Sequence, residues 1–160
     1  MLDWLTRFWR QFSILPVPGT ASEDDGGLYF DLASSGEYNH IALCSFSAKD
    51  ACQQLTEGEW EVVQFAAFNA ASNRLYYFST EVSPLERHLY SLDISGCNGV
   101  PGGCTAIKTR LTEKEGWFSA SFDSSASYYF MTHSGPGVPQ QHIYSTSDTG
   151  ADIVRFLIQI

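Results

Sequence analysis

Basic residues are scarce in this chain. Nine Lys and Arg stand against 18 Asp and Glu, for a net charge of -9, and nowhere do the basic side chains gather into a stripe. A phosphate-backbone partner needs such a stripe, so nucleic acid is excluded as a ligand. Long apolar runs are missing as well: no stretch of about 18 apolar residues exists, which excludes a spanning helix in this chain. No Asn-x-Ser/Thr acceptor occurs, so N-glycosylation has no site. Charged residues amount to only 17% while aromatics reach 14%, a balance that suits stacked sheets better than a helical bundle or a disordered tail. At 160 residues the chain has the size of one domain and can bury a core of its own.

The four cysteines form two close pairs in sequence, Cys44/Cys52 and Cys97/Cys104. Neither has the C-x2-C spacing of a zinc knuckle. Two short-loop disulfides are one reading, which implies an oxidising compartment; four partly buried thiols are the other. Four cysteines allow three connectivities, and spacing does not choose among them.

The chain opens with an amphipathic stretch. From Met1 to Leu15, Leu2, Leu5, Phe8, Trp9 and Phe12 recur at helical spacing, with Asp3, Arg7 and Arg10 interrupting any signal-like apolar core. A short helix is expected, either lying on a membrane surface or, as is commoner for such a stripe, packing its aromatics on the rest of the protein.

Internal repetition dominates the remainder of the chain. Leu55-Thr56 returns as Leu111-Thr112 at an offset of 56, Trp60 as Trp117 at 57, Tyr76-Tyr77-Phe78 as Tyr128-Tyr129-Phe130 at 52, and His88-Leu89-Tyr90-Ser91 as His142-Ile143-Tyr144-Ser145 at 54. A weaker copy precedes them, with Tyr29-Phe30 and His40-Ile41 each 48 residues before their counterparts. A period near 50 holding several strands is the signature of a propeller blade. In the middle unit the strands are expected at Glu61 to Phe68, Leu75 to Thr80, Arg87 to Ile94 and Ala106 to Leu111, separated by turn-forming segments that include the Gly- and Pro-rich run from Gly96 to Gly103. The last unit repeats this at Trp117 to Phe122, Tyr128 to His133, His142 to Ser145 and Asp152 to Ile158. The expected fold is therefore all-β: a partial propeller with two full four-stranded antiparallel blades, 57–112 and 113–160, and part of a third at 26–56. Residues 1–25 form a helix or linker.

With the units laid out, their landmarks resemble the propeller of the dipeptidyl peptidase IV-like serine peptidases. Leu55-Thr56-Glu57-Gly58-Glu59-Trp60-Glu61-Val62 looks like that family's L-T-x-G-x-W-E-V element. Ser79-Thr80-Glu81, Ser83-Pro84 and Arg87-His88-Leu89-Tyr90 look like the segment after it. Gly116-Trp117, Ser119-Ala120-Ser121-Phe122, Tyr128-Tyr129 and Ser134-Gly135-Pro136-Gly137-Val138-Pro139 look like the next blade. The resemblance covers residues 26 to about 157, and it marks Trp60, Glu61, Tyr77, His88, Tyr90, Trp117, Tyr129, Gly135, Pro136 and Pro139 as structural motif residues. It implies an eight-bladed propeller joined to an α/β-hydrolase domain, N-terminal dipeptide release as the activity of the whole, and a secretory, vacuolar or extracellular setting, although no signal peptide begins this chain. It also implies partners: the remaining blades and the hydrolase domain.

Catalytic residues are not expected in the chain itself. No G-x-S-x-G elbow occurs, and the family's Glu-Glu pair for the substrate amino terminus belongs to an earlier blade, so no catalytic or substrate-binding residue is assigned. Ser119, Ser121 and Ser134 fall on expected strands or a turn, where serine is common. His40, His88 and His142 occupy equivalent points of successive units, so they would not converge on a metal and read as structural hydrogen-bonding residues; His133 stands outside the repeat. Glu57, Glu59 and Glu61 read as a solvated acidic edge. No metal, cofactor or phosphate loop is expected. The competing functional reading is a stand-alone sheet module that pairs through exposed edge strands, with a partner or with itself.

Overall fold

The computed structural model describes residues 14–17, 27–46, 51–97, 102–146 and 153–154. They form twelve strands in three four-stranded antiparallel sheets, each following chain order. The first sheet comprises β1 (Ile14–Pro16), β2 (Leu28–Ser35), β3 (Tyr38–Ser45) and β4 (Cys52–Gln54). The second comprises β5 (Val62–Asn69), β6 (Arg74–Ser79), β7 (His88–Gly96) and β8 (Thr105–Arg110). The third comprises β9 (Trp117–Phe122), β10 (Tyr128–Ser134), β11 (Gln140–Ser145) and β12 (Ile153–Val154). Three successive four-stranded meanders are propeller blades. The strands of the two later units lie within two or three residues of their expected positions, apart from the last, where only Ile153–Val154 falls among the described residues.

The first unit is a complete blade rather than part of one. Ile14, Leu15 and Pro16 pair with Asp31, Phe30 and Tyr29, so the sheet reaches back well before residue 26. A three-residue edge strand ending in proline carries little strand signal, since proline gives no N–H to a ladder. The amphipathic stretch expected as a helix falls mainly on residues 1–13, outside the described residues, and its last two positions are strand.

The central strands of the second sheet, β6 and β7, are buried on both faces. In β6, Leu75 and Tyr77 point to the first sheet, where Phe30, Ile41 and Leu43 meet them. Tyr76 and Phe78 point the other way, onto Phe118, Tyr129 and Met131 of the third sheet. Successive side chains of a strand face opposite sides, so a strand sandwiched between two sheets is apolar at every position. That is why Leu75–Phe78 reads as an unbroken apolar run rather than an alternating one. Each such side chain, fully buried, contributes about 1.5–3 kcal/mol, and both seams draw on β6 and β7.

Both disulfides close the connection from third to fourth strand of a blade: Cys44 to Cys52 and Cys97 to Cys104. Cys44 and Cys52 are directly opposed residues of β3 and β4. Ladder bonds at Ser45 N to Ala51 O (3.2 Å) and Leu55 N to Ile41 O (2.7 Å) flank them, which makes Cys44/Cys52 one of the close, non-hydrogen-bonded pairs whose side chains approach best. Cys97 and Cys104 lie just beyond the Gly96–Thr105 pair that ends β7 and β8.

Candidate functional site

The arrangement nearest in form to a catalytic one is a hydroxyl–imidazole–carboxylate series at the start of β7. Thr112 Oγ1 lies 3.0 Å from His88 Nδ1, and His88 Nε2 lies 2.9 Å from Glu86 Oε2. A carboxylate only accepts, so Nε2 carries the hydrogen and Nδ1 receives the Thr112 hydroxyl. Glu86 Oε2 also accepts the Gly116 amide at 3.2 Å. These two donors, His88 first, hold the Glu86 carboxyl below its ordinary pKa.

Its surroundings make this series a brace rather than a nucleophile. Thr112 is 2% exposed and His88 1%, so no substrate reaches the hydroxyl. Thr112 Oγ1 already accepts the Leu89 amide at 3.1 Å; a nucleophile needs free donors aimed at an oxyanion instead. The first blade repeats the brace without the acid. His40 Nδ1 meets Thr56 Oγ1 at 3.3 Å, Ile41 N donates to the same oxygen at 2.9 Å, and His40 Nε2 donates to the Gly58 carbonyl at 3.0 Å. In both blades the Thr of the Leu-Thr pair ties the chain that leaves the fourth strand to the His near the start of the third. His142 occupies the matching place on β11, beside Tyr144.

Gly58, Trp60 and Glu61 of the L-T-x-G-x-W-E-V element, and the motif tyrosines beyond it, each have a physical role. Gly58 has φ +135, and a Cβ there would overlap Trp60 Nε1; only glycine permits both the backbone and the ring. Trp60 packs on the edge of the His40 ring at 4.8 Å, with Lys108 Nζ 5.0 Å above it. Glu61 Oε1 accepts Asn39 Nδ2 at 2.8 Å, linking first and second sheets. Tyr77 and Tyr90 stack at 5.5 Å in the seam core. Tyr129 lies between Phe122 and Tyr144, at 4.8 and 5.0 Å.

At the second seam His133 is no bystander. It stacks on Phe118 at 4.4 Å and donates from Nε2 to the Glu115 carbonyl at 2.8 Å. The turn at Gly135 sits against it so closely that a Cβ would overlap that nitrogen, while Pro136 and Pro139 are exposed on the turn. Arg87 crosses the same seam. Its N donates to Gly116 O (3.3 Å), its O accepts from Phe118 N (2.9 Å), and its guanidinium lies over Phe78 and Trp117. Asn69, the last residue of β5, reaches across with Nδ2 to the Ala126 carbonyl at 3.1 Å.

Ser119 and Ser121 lie on the exposed face of β9, and Ser134 is exposed at the end of β10. Glu57 and Glu59 are exposed, and among the described residues no group of three His, Cys, Asp or Glu side chains converges to hold a metal. The roles of Thr56, Thr112, Glu86, Asn69 and Gln53 were not assigned from sequence. Only the repeated Leu-Thr pair carried a signal that could have pointed to one.

The outer face of the third sheet stands open. Tyr76 and Phe78 of the second sheet, covered by the third, are 2% and 0% exposed. Their repeat counterparts Tyr128 and Phe130 are 53% and 37% exposed, and Trp117 beside them 47%. The face that forms a seam in the second sheet thus has no sheet against it in the third, among the described residues.

Comparison with known proteins agrees with this geometry. Residues 3–140 match the family model described as the dipeptidyl peptidase IV N-terminal region. Dipeptidyl aminopeptidase B of Saccharomyces cerevisiae is 38% identical over 130 residues, 81% of this chain and 15% of the relative. A probable dipeptidyl peptidase 4 of Emericella nidulans is 32% identical over 146 residues, 91% of this chain and 18% of the relative. The crystal structure of Porphyromonas gingivalis dipeptidyl peptidase 4 superposes on 95% of this chain with a TM-score of 0.64 at 21% identity, over 18% of its own length. The chain therefore spans less than a fifth of the length of these relatives.

Proposed function

Because the chain belongs to the dipeptidyl peptidase IV N-terminal region family, we propose that it serves as a non-catalytic section of propeller wall in a serine-type dipeptidyl peptidase. In this reading it helps enclose an active site whose nucleophile another domain supplies, and the whole assembly releases N-terminal dipeptides. The observation that carries the proposal is the contrast between Tyr76 and Phe78, covered in the second sheet, and Tyr128 and Phe130, uncovered in the third. Repeat-equivalent residues of the same type are exposed only where the next blade is missing from the described residues, so the outer face of β9–β11 is fitted to receive one. The partners are then further blades and an α/β-hydrolase domain. Two disulfides within the blades support an oxidising, secretory or vacuolar setting.

The test is dipeptidyl-nitroanilide hydrolysis by the purified chain, with and without a serine-directed covalent inhibitor. No inhibitor-sensitive turnover is expected. Turnover abolished by the inhibitor would show a catalytic serine in the chain and overturn the proposal. The other reading, a sheet module acting through its edges, would show as a discrete oligomer of fixed size in light scattering.

A further inference from the structure

The geometry points to a thiol-responsive latch between the first two blades, in which Gln53 is the bolt and the Cys97–Cys104 bridge the catch. Gln53 lies on β4, one residue from Cys52, and its side-chain amide reaches the neighbouring blade. Nε2 donates to the Cys104 carbonyl at 2.8 Å, while Oε1 accepts the Gly102 amide at 2.8 Å and the Cys104 amide at 2.9 Å. The side chain thus uses donor and acceptor together on one short stretch of backbone, as a strand would. Both ends of the contact are fixed by disulfides. Cys44–Cys52 locks β4 to β3 beside Gln53, and Cys97–Cys104 holds the very residue whose peptide groups Gln53 grips.

The second bridge decides whether the grip persists. Gly102 and Gly103 lose more backbone freedom on ordering than other residues do, and holding a long amide side chain in one rotamer adds to that loss. Three neutral hydrogen bonds of ordinary net strength balance this entropy only while the bridge has already removed most of it. The opening step is thiol–disulfide exchange with a dithiol reductant. One thiolate attacks a sulfur of Cys97–Cys104 and forms a mixed disulfide, releasing one cysteine as thiolate. The second thiol displaces the other cysteine. Two electrons and two protons pass to Cys97 and Cys104, and the reductant leaves as a cyclic disulfide. Gln53 then loses its ordered target, and the rim of the first seam loosens while its apolar core stays packed. The grip also shields the bridge: while Gln53 holds the 102–104 stretch, that stretch opens less often to an attacking thiolate, so removing Gln53 speeds reduction.

Two measurements on the 160-residue chain test the latch. The first is amide exchange read by mass spectrometry on the oxidised protein, on a Cys97→Ser/Cys104→Ser variant and on Gln53→Ala. Both variants should exchange roughly tenfold faster at positions 102 and 104, and the bridge variant also along β4, with β9 to β11 unchanged. Unchanged exchange at Gly102 and Cys104 in Gln53→Ala, or faster exchange spread through all three sheets, overturns the latch. The second is the rate at which dithiothreitol opens each bridge, followed by differential alkylation. Gln53→Ala should speed opening of Cys97–Cys104 several-fold and leave Cys44–Cys52 at its original rate. An unaltered rate at Cys97–Cys104 contradicts the proposal.

Discussion

Replacing Thr112 by valine removes one oxygen and leaves the shape of the side chain in place. That oxygen accepts the Leu89 amide at 3.1 Å and bonds His88 Nδ1 at 3.0 Å, and both His88 and Leu89 are essentially without solvent contact. The substitution therefore strands two buried polar groups, at about 1–3 kcal/mol each. The added methyl returns about 0.8 kcal/mol of apolar burial. The expected net loss is about 1–5 kcal/mol, which at a urea slope of about 2 kcal/mol/M lowers the unfolding midpoint by about 0.5–2.5 M. Thr112→Ser keeps the hydroxyl and should stay within about 1 kcal/mol of the parent. Thr56→Val in the first blade, where the oxygen has matching partners, should behave like Thr112→Val. Urea melts followed by tryptophan fluorescence make the comparison. A midpoint shift in Thr112→Val no larger than that in Thr112→Ser would refute the view that the repeated Leu-Thr pair braces the third strand through its hydroxyl.

Other substitutions probe separate parts of the fold. Gly58→Ala should cost about 1–3 kcal/mol, because φ +135 is unfavourable for alanine and its Cβ would collide with the Trp60 ring; a matching change in Trp60 fluorescence is expected, and an unshifted spectrum with full stability counts against it. Tyr77→Phe removes a buried hydroxyl that has no partner among the described residues, so it should be neutral or stabilising by up to about 1 kcal/mol; a clear loss of stability would mean that the hydroxyl is satisfied in solution. Glu86→Gln tests the pH dependence. The carboxyl is held below its ordinary value of 4.5 by His88 and the Gly116 amide, so its contribution is complete above that value and is lost as pH falls through the lowered folded value. The stability gap between parent and variant should therefore shrink as pH falls below about 4.5, and a gap of constant size would reject the assignment.

Much of the architecture was legible because the repeat is enforced by position. His88, Leu89 and Tyr90 recur as a unit because the imidazole braces, the leucine faces the third sheet and the tyrosine faces the first. The tryptophan echo was less faithful. Val62 and Phe118 are equivalent, each being the first inward residue of its blade, and they are 56 apart, as are Thr56 and Thr112. Trp60 and Trp117 are 57 apart, and that single residue puts one ring on His40 and the other at the open edge of β9. A slip of one residue exchanges the faces of a strand, and a residue pattern alone does not register it. The cross-blade clamps were not legible at all. Gln53 binds a residue 51 positions away and Asn69 one 57 away, and nothing local to either marks a distant partner.

Tyr128, Phe130 and Trp117 are exposed on the outer face of the third sheet, and the proposed function makes that face a seam for a further blade. Light scattering over a range of concentrations tests this most directly, on the parent chain and on a Tyr128→Lys/Phe130→Lys variant. The parent should associate through this face in a concentration-dependent way, and the variant should stay smaller while keeping its β-sheet circular dichroism. A parent that remains monomeric at every concentration, melts cooperatively and is unaffected by the two lysines would contradict a seam at this face.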